Sequence, residues 1–195
     1  MRTHPAWIRL LSLSMVFSAV PSPAWAGKCA GVTMPDEAKV DGKPLLLNGM
    51  GLREATVLNI DVYVAGLYLE RRSKDGKAIA VSEQFKQLRL TLVRDVDTED
   101  MSENLERGFR RSAGQTYPKL AARFERLKSW IPNLKEGDRF VVTYRPSVGV
   151  EVRHGEKLLG SIDGADFATT LFSIWLGDHP PNEGLKTGLL GGPCG

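Results

Sequence analysis

The stretch from Leu47 to Glu70, LNGMGLREATVLNIDVYVAGLYLE, constrains the fold of this chain more than any other. Its second half is a long apolar run rich in Val, Ile and Tyr, the composition of a strand buried on both faces. Gly49-Met50-Gly51 reads as a tight turn between strands, and Arg53 follows inside an otherwise apolar segment. A guanidinium at the mouth of a sheet is a fork for a carboxylate or a phenolate. Buried there, it needs either a permanent acidic partner, with Glu54 the nearest, or a ligand anion. Tyr63 alternates in face with Val62 and Val64, so its hydroxyl either enters the same cavity or its ring fills core.

The N-terminus carries a different pattern. Arg2 and Arg9 precede an apolar run from Leu10 to Val20, and Ala24-Trp25-Ala26 follows as a small-x-small site. That is the form of a secretory signal peptide, with cleavage expected after Ala26 and the mature protein expected in the periplasm. The run is too short to span a bilayer, which takes about 20 residues. Residues 27–195 are then expected to form a single domain with no membrane-spanning segment. Loss of the two leader arginines leaves 24 basic against 23 acidic side chains. So even a balance makes nucleic acid a poor expectation as partner.

Cys29 and Cys194 are the only cysteines and stand near the two ends of the mature chain. An exported protein meets oxidising conditions, so one disulfide tying the ends together is the simplest pairing. No C-x-x-C accompanies them, which argues against a redox thiol.

Along the chain, Gly27 to Pro35 reads as an extended lead-in, and Asp41-Gly42 between short runs signals a hairpin. A second hairpin is expected to turn near Leu58-Asn59. After a loop at Asp75-Gly76, a short helix fits within Lys77 to Lys86. Leu88, Leu90 and Leu92 alternate with polar residues as in a half-buried strand that pairs with the long one. Met101, Leu105 and Phe109, four apart, mark one face of a helix that starts at Asp97 or Thr98. Arg107, Arg110 and Arg111 crowd its last turns, where they read as a solvated helix end rather than a binding patch. Leu120, Phe124, Leu127 and Ile131 mark the next helix, opened by Pro118; the two helices form an antiparallel pair laid on a sheet. Arg139 to Ile162 reads as a three-stranded antiparallel meander. A helix with Phe167, Leu171, Ile174 and Trp175 follows, and Asn182 is placed to cap a last short one.

Familiar catalytic constellations are missing from the sequence. Gly49-Met50-Gly51 lacks the third glycine of a dinucleotide loop, and no G-x-S-x-G elbow occurs. His154 and His179 have no metal-ligand spacing, so neither a cofactor nor a metal is expected.

Taken together, Leu47-Asn48-Gly49-Met50-Gly51-Leu52-Arg53, Tyr63-Val64-Ala65-Gly66-Leu67-Tyr68-Leu69, Leu92-Val93-Arg94-Asp95-Val96, Glu106-Arg107-Gly108-Phe109 and Ile174-Trp175-Leu176-Gly177-Asp178 resemble the chalcone isomerase superfamily, especially its exported bacterial chalcone isomerase-like members. The resemblance covers residues 36 to 190. It implies an α+β open-faced sandwich: a curved antiparallel sheet with helices packed on one face and a ligand cleft between them. In the plant enzymes of that family the cleft closes a chalcone to a flavanone without a cofactor. A family arginine holds the phenolate, while threonine, tyrosine and asparagine side chains serve the ketone end.

Residue by residue, the family arginine falls on Arg53 and the asparagine on Asn104. The threonine of the long strand falls on Tyr63, the tyrosine near Asp97 and the later threonine near Ile174, so three of the five polar groups are replaced. That loss removes electrostatic assistance to the ring closure. An arginine beside a tyrosine instead is similar to the superfamily's non-catalytic branch, whose plant members bind fatty acids. The resemblance thus implies a non-enzymatic binding protein for a small amphipathic carboxylate such as a fatty acid, held by Arg53, Tyr63 and Asn104. The alternatives are an isomerase or lyase acting on a phenolic or enone substrate, and a structural or partner-binding domain with a closed cleft.

Overall fold

A computed structural model describes residues 26–55 and 60–194. Residues 1–25 of the expected signal peptide, 1–26, and the expected turn at Leu58-Asn59 lie outside the described residues.

Seven strands form one antiparallel sheet whose spatial order is the chain order: β3 (Glu37–Val40), β4 (Lys43–Ala55), β5 (Ile60–Leu69), β6 (Lys86–Leu92), β7 (Arg139–Arg145), β8 (Gly149–His154) and β9 (Lys157–Ile162). Asp41 and Gly42 both take positive φ, 50° and 77°, the two-residue turn whose twist matches the flanking strands. Register shifts that leave Asn48 of β4, Val62 of β5 and Leu159 of β9 unpaired bend the sheet, because each unpaired residue kinks its strand and adds twist. The sheet is therefore curled, and the helices lie on one face of it.

That face holds the main core. β6 contributes Leu88, Leu90 and Leu92, while α2 (Thr98–Ala113) contributes Met101, Leu105 and Phe109, and α3 (Tyr117–Lys128) contributes Leu120, Phe124 and Leu127. The carboxylate of Asp97 caps α2 by accepting from Asp100 N, and Phe109 stacks on Phe124 at 4.5 Å between centroids. α4 (Ala165–Leu176) is buried on more sides than its sequence spacing implies: Ala168, Thr170, Phe172 and Leu176 are enclosed as well as the expected Phe167, Leu171, Ile174 and Trp175. α1 (Gly76–Val81) and α2 pack against it. Asp75-Gly76 is not a free loop. Asp75 caps α1, and Gly76 abuts the α4 carbonyl of Leu176.

The supposed lead-in is a hairpin, β1 (Ala26–Cys29) with β2 (Val32–Pro35), turning at Ala30-Gly31. It covers the opposite face of β4 and β5, where Met34, Leu45, Leu47, Val64 and Tyr68 make a second, smaller core. This cover is why β5 is buried without interruption from Tyr63 to Leu69. Elsewhere that face is polar, with Gln87 donating to Thr143 Oγ1 across β6 and β7. The architecture is an open-faced sandwich. Cys29 and Cys194 are joined by a disulfide that ties β1 to the C-terminus, with 5.6 Å between their Cα atoms.

Gly49-Met50-Gly51 is not a turn but the middle of β4. Its glycines serve an approach of backbone to backbone: a Cβ on Gly51 would lie 2.2 Å from the carbonyl oxygen of Leu185, and one on Gly49 would lie 2.1 Å from that of Gly188. Both carbonyls belong to α5 (Glu183–Leu189), which lies directly on the strand. Asn48, the extra residue of the first bulge, is buried there; its Nδ2 donates to the carbonyls of Ser73 and Leu189, and its Oδ1 accepts from Ser73 N. One side chain thus fastens β4, the β5–α1 loop and α5 together.

Candidate functional site

Arg53 and Tyr63 are Cα partners in the β4–β5 ladder, one residue from the second bulge. Residues directly opposite in a sheet project to the same face. Here both line a cleft between the sheet, one side of α2 and the C-terminal end of α4, with a volume of about 350 Å³. The inner wall is apolar, with Met101 and Leu105 from α2 and Ile174 and Trp175 from α4 all buried. Tyr63 is 6 % exposed, and its phenolic oxygen accepts a hydrogen bond of 3.0 Å from Trp175 Nε1. No acceptor for the phenol's own proton occurs among the described residues. Burial pushes the Tyr63 hydroxyl above its ordinary pKa, against the smaller opposing pulls of the Trp175 hydrogen bond and the Arg53 charge. It stays protonated at neutral pH and can donate.

The rim is cationic. Arg53, Arg107, Arg111 and His179 line the cleft, and no carboxylate does among the described residues. The half-buried Arg53 donates through Nη1 to the backbone carbonyl of Glu54, and makes no ion pair with a described acid. The expected partner Glu54 therefore supplies its main-chain oxygen rather than its charge. Arg110, by contrast, faces away from the cleft and is committed to Glu106.

Asn104 stands on the rim, with both halves of its amide engaged: Nδ2 donates to Asp100 O at 2.7 Å, and Oδ1 accepts from Arg107 Nη2 at 2.9 Å. Its direct effect is to hold Arg107 in place. The structure thus gathers Arg53, Tyr63, Asn104 and Ile174 at one cavity and leaves Asp97 outside it, occupied as a helix cap.

Sequence reasoning assigned Arg107 and Arg111 to a solvated helix end and His179 to a loop. The missed signal lies in spacing: Asn104, Arg107, Gly108 and Arg111 fall at i, i+3, i+4 and i+7, one stripe of α2. Like charges four apart on a helix are mutually unfavourable, and a stripe bearing them suits an anion. Gly108 lets α2 close on α4, since a Cβ there would lie 2.8 Å from Ile174 Cγ2.

A larger recess of about 660 Å³ lies beside the disulfide, walled by Leu47 to Met50, Arg72 to Lys74 and the glycine-rich C-terminus. It is a shallow trough, and its buried polar side chain, Asn48, is already satisfied. The smaller cleft is the candidate site. Among the described residues no group of three His, Cys, Asp or Glu side chains is placed to hold a metal.

Residues 26–191 match the chalcone isomerase-like family. The chain belongs to that family. Among solved structures it is similar to the fatty-acid binding protein AtFAP1 of Arabidopsis thaliana, with a TM-score of 0.66 and 16 % sequence identity over 82 % of this chain and 92 % of that one. Likeness at that identity establishes the shared chalcone isomerase-like fold, a curled sheet with helices on one face. No curated protein sequence matches the chain.

Proposed function

We propose that this chalcone isomerase-like protein is a non-enzymatic binding protein for a small amphipathic carboxylate, such as a fatty acid, and that it works in the periplasm. The observation that carries the reading is the Arg53–Tyr63 pair, a cation and a protonated phenol side by side on the wall of an apolar cleft. Arg53 supplies a charge-assisted fork for the carboxylate, and Tyr63 donates to the same head while Trp175 holds its oxygen. Asn104 acts through Arg107. The acyl tail lies against Met101, Leu105 and Ile174, where each buried methylene contributes about 0.8 kcal/mol. A fatty-acid binding protein of the same fold, AtFAP1, supports the choice of ligand class.

At about 350 Å³ the cleft lies near the lower end of the range of small-molecule sites, roughly 300–1,000 Å³. A short or medium chain is therefore favoured over a long one. The leader-like N-terminus and the Cys29–Cys194 bond support export to an oxidising compartment. Cells expressing the full gene should yield a protein that starts at Gly27; one retained in the cytosol with its leader would contradict export.

Isothermal titration with a series of straight-chain carboxylates tests the binding reading. Affinity should fall on the order of tenfold for each two methylenes removed, down from the longest chain the cleft admits. Absence of carboxylate binding together with turnover of a chalcone to a flavanone would overturn it in favour of an isomerase.

A further inference from the structure

Three guanidinium groups are more than one carboxylate needs. Arg53 comes from the sheet, while Arg107 and Arg111 come from successive turns of α2, and all three line the same 350 Å³ cleft. Several other arginines are committed to carboxylates, Arg110 to Glu106, Arg123 to Asp166, and Arg145 to Asp41 and Glu151. At the cleft no described carboxylate pairs with any of the three, and Asn104 fixes Arg107 through a neutral contact that leaves its charge uncompensated. Like charges gathered at one mouth repel each other until an anion enters, and a singly charged head would leave two of them unmatched.

We propose that the head group this cleft selects is a doubly charged phosphate monoester on an apolar tail, in preference to a carboxylate. This rests on the reading of the cleft as a site for an amphipathic anion and specifies its head. A phosphate monoester carries close to two negative charges at neutral pH and offers three terminal oxygens, enough for guanidinium forks from two directions. Arg53 and Tyr63 take one side of the phosphoryl group at the wall, and Arg107 and Arg111 take the other from the helix stripe. The tail occupies the same apolar wall as before.

Isothermal titration of the mature protein at pH 7.5 with dodecyl phosphate, dodecanoate and inorganic phosphate tests the proposal. Dodecyl phosphate should bind at least tenfold more tightly than dodecanoate, and inorganic phosphate at least a hundredfold more weakly than dodecyl phosphate. In Arg107→Gln/Arg111→Gln the preference for phosphate over carboxylate should shrink to threefold or less; Arg111→Gln alone, at an exposed position, serves if the double variant fails to fold. Equal or tighter binding of dodecanoate by the wild type would overturn the proposal while leaving the carboxylate reading intact. Inorganic phosphate binding as tightly as dodecyl phosphate would overturn it in favour of a free-phosphate site. A phosphate preference undiminished in the variants would overturn the assignment to α2, and failure to bind any of the three would overturn both readings.

Discussion

Arg53 and Tyr63, ten residues apart in sequence, face each other across the β4–β5 ladder, and Trp175 Nε1 reaches from α4 to the Tyr63 oxygen at 3.0 Å. The cation, the phenol and the indole make one row from rim to floor. Because Tyr63 accepts from Trp175, its proton is directed to whatever occupies the cleft.

Tyr63→Phe removes that donor and leaves the buried Trp175 N–H without its partner. An unsatisfied buried donor costs about 1–3 kcal/mol, so the variant should lose stability by that order in urea denaturation. Binding of dodecanoate should weaken by roughly tenfold, the worth of one charge-assisted hydrogen bond. Unchanged affinity at reduced stability would make Tyr63 a core residue alone.

Gly51→Ala places a methyl group 2.2 Å from the Leu185 carbonyl, and Gly188→Ala places one 2.2 Å from that of Met50. Backbone cannot step aside as a side chain can, so α5 must move off β4. Each substitution should cost about 3 kcal/mol by urea midpoint. Since both widen the same gap, the double variant should cost less than the sum.

Lys86 is buried beneath α1, where its Nζ donates to the carbonyls of Ile79, Ala80 and Ser82 at 2.7–3.0 Å, a cation on the negative end of that helix. Burial lowers its pKa to about 8, with Glu83 opposing. The unfolded side chain titrates near 10.4, so between those values the unfolded state binds more protons and stability contributed by this group rises with pH. Measured against Lys86→Met, the wild type should gain about 2 kcal/mol from pH 7.5 to 9.5. A difference that stays flat across that window would show that Lys86 titrates outside it.

The Cys29–Cys194 bond closes a separation of 165 residues. In the chain-entropy model it contributes roughly 5 kcal/mol by restricting the unfolded chain. Dithiothreitol should therefore lower the wild-type urea midpoint markedly and leave Cys29→Ser/Cys194→Ser unaffected, the double variant resembling the reduced wild type.

The fold was legible where local chemistry dictates local geometry. Asp41-Gly42 had to turn, Asp97 had to cap, and the spacing of Met101, Leu105 and Phe109 had to bury one side of α2. It was not legible where a residue answers to a distant segment. Gly49 and Gly51 look like a turn because glycine serves turns; only the arrival of α5, more than 130 residues later, shows that they make room for backbone. The β1–β2 hairpin was hidden for a related reason, since its pairing and its cover over β5 depend on the second core rather than on a marked turn sequence. Of the candidate site, Arg53 and Tyr63 stood out as polar groups in an apolar run, and Asn104 came from the family resemblance. Arg107 and Arg111 lay among three charges whose directions differ by helix phase: Arg110 turns to Glu106, while the other two turn to the cleft.

Native mass spectrometry of the protein starting at Gly27, purified without detergent and compared with Arg53→Ala, tests the central claim most directly. The wild type should carry one amphipathic anion per chain, and Arg53→Ala, folded to the same extent by circular dichroism, should carry none. An anion retained by the variant in full stoichiometry, or a wild type that stays bare when dodecanoate or dodecyl phosphate is added at millimolar concentration, would contradict the account.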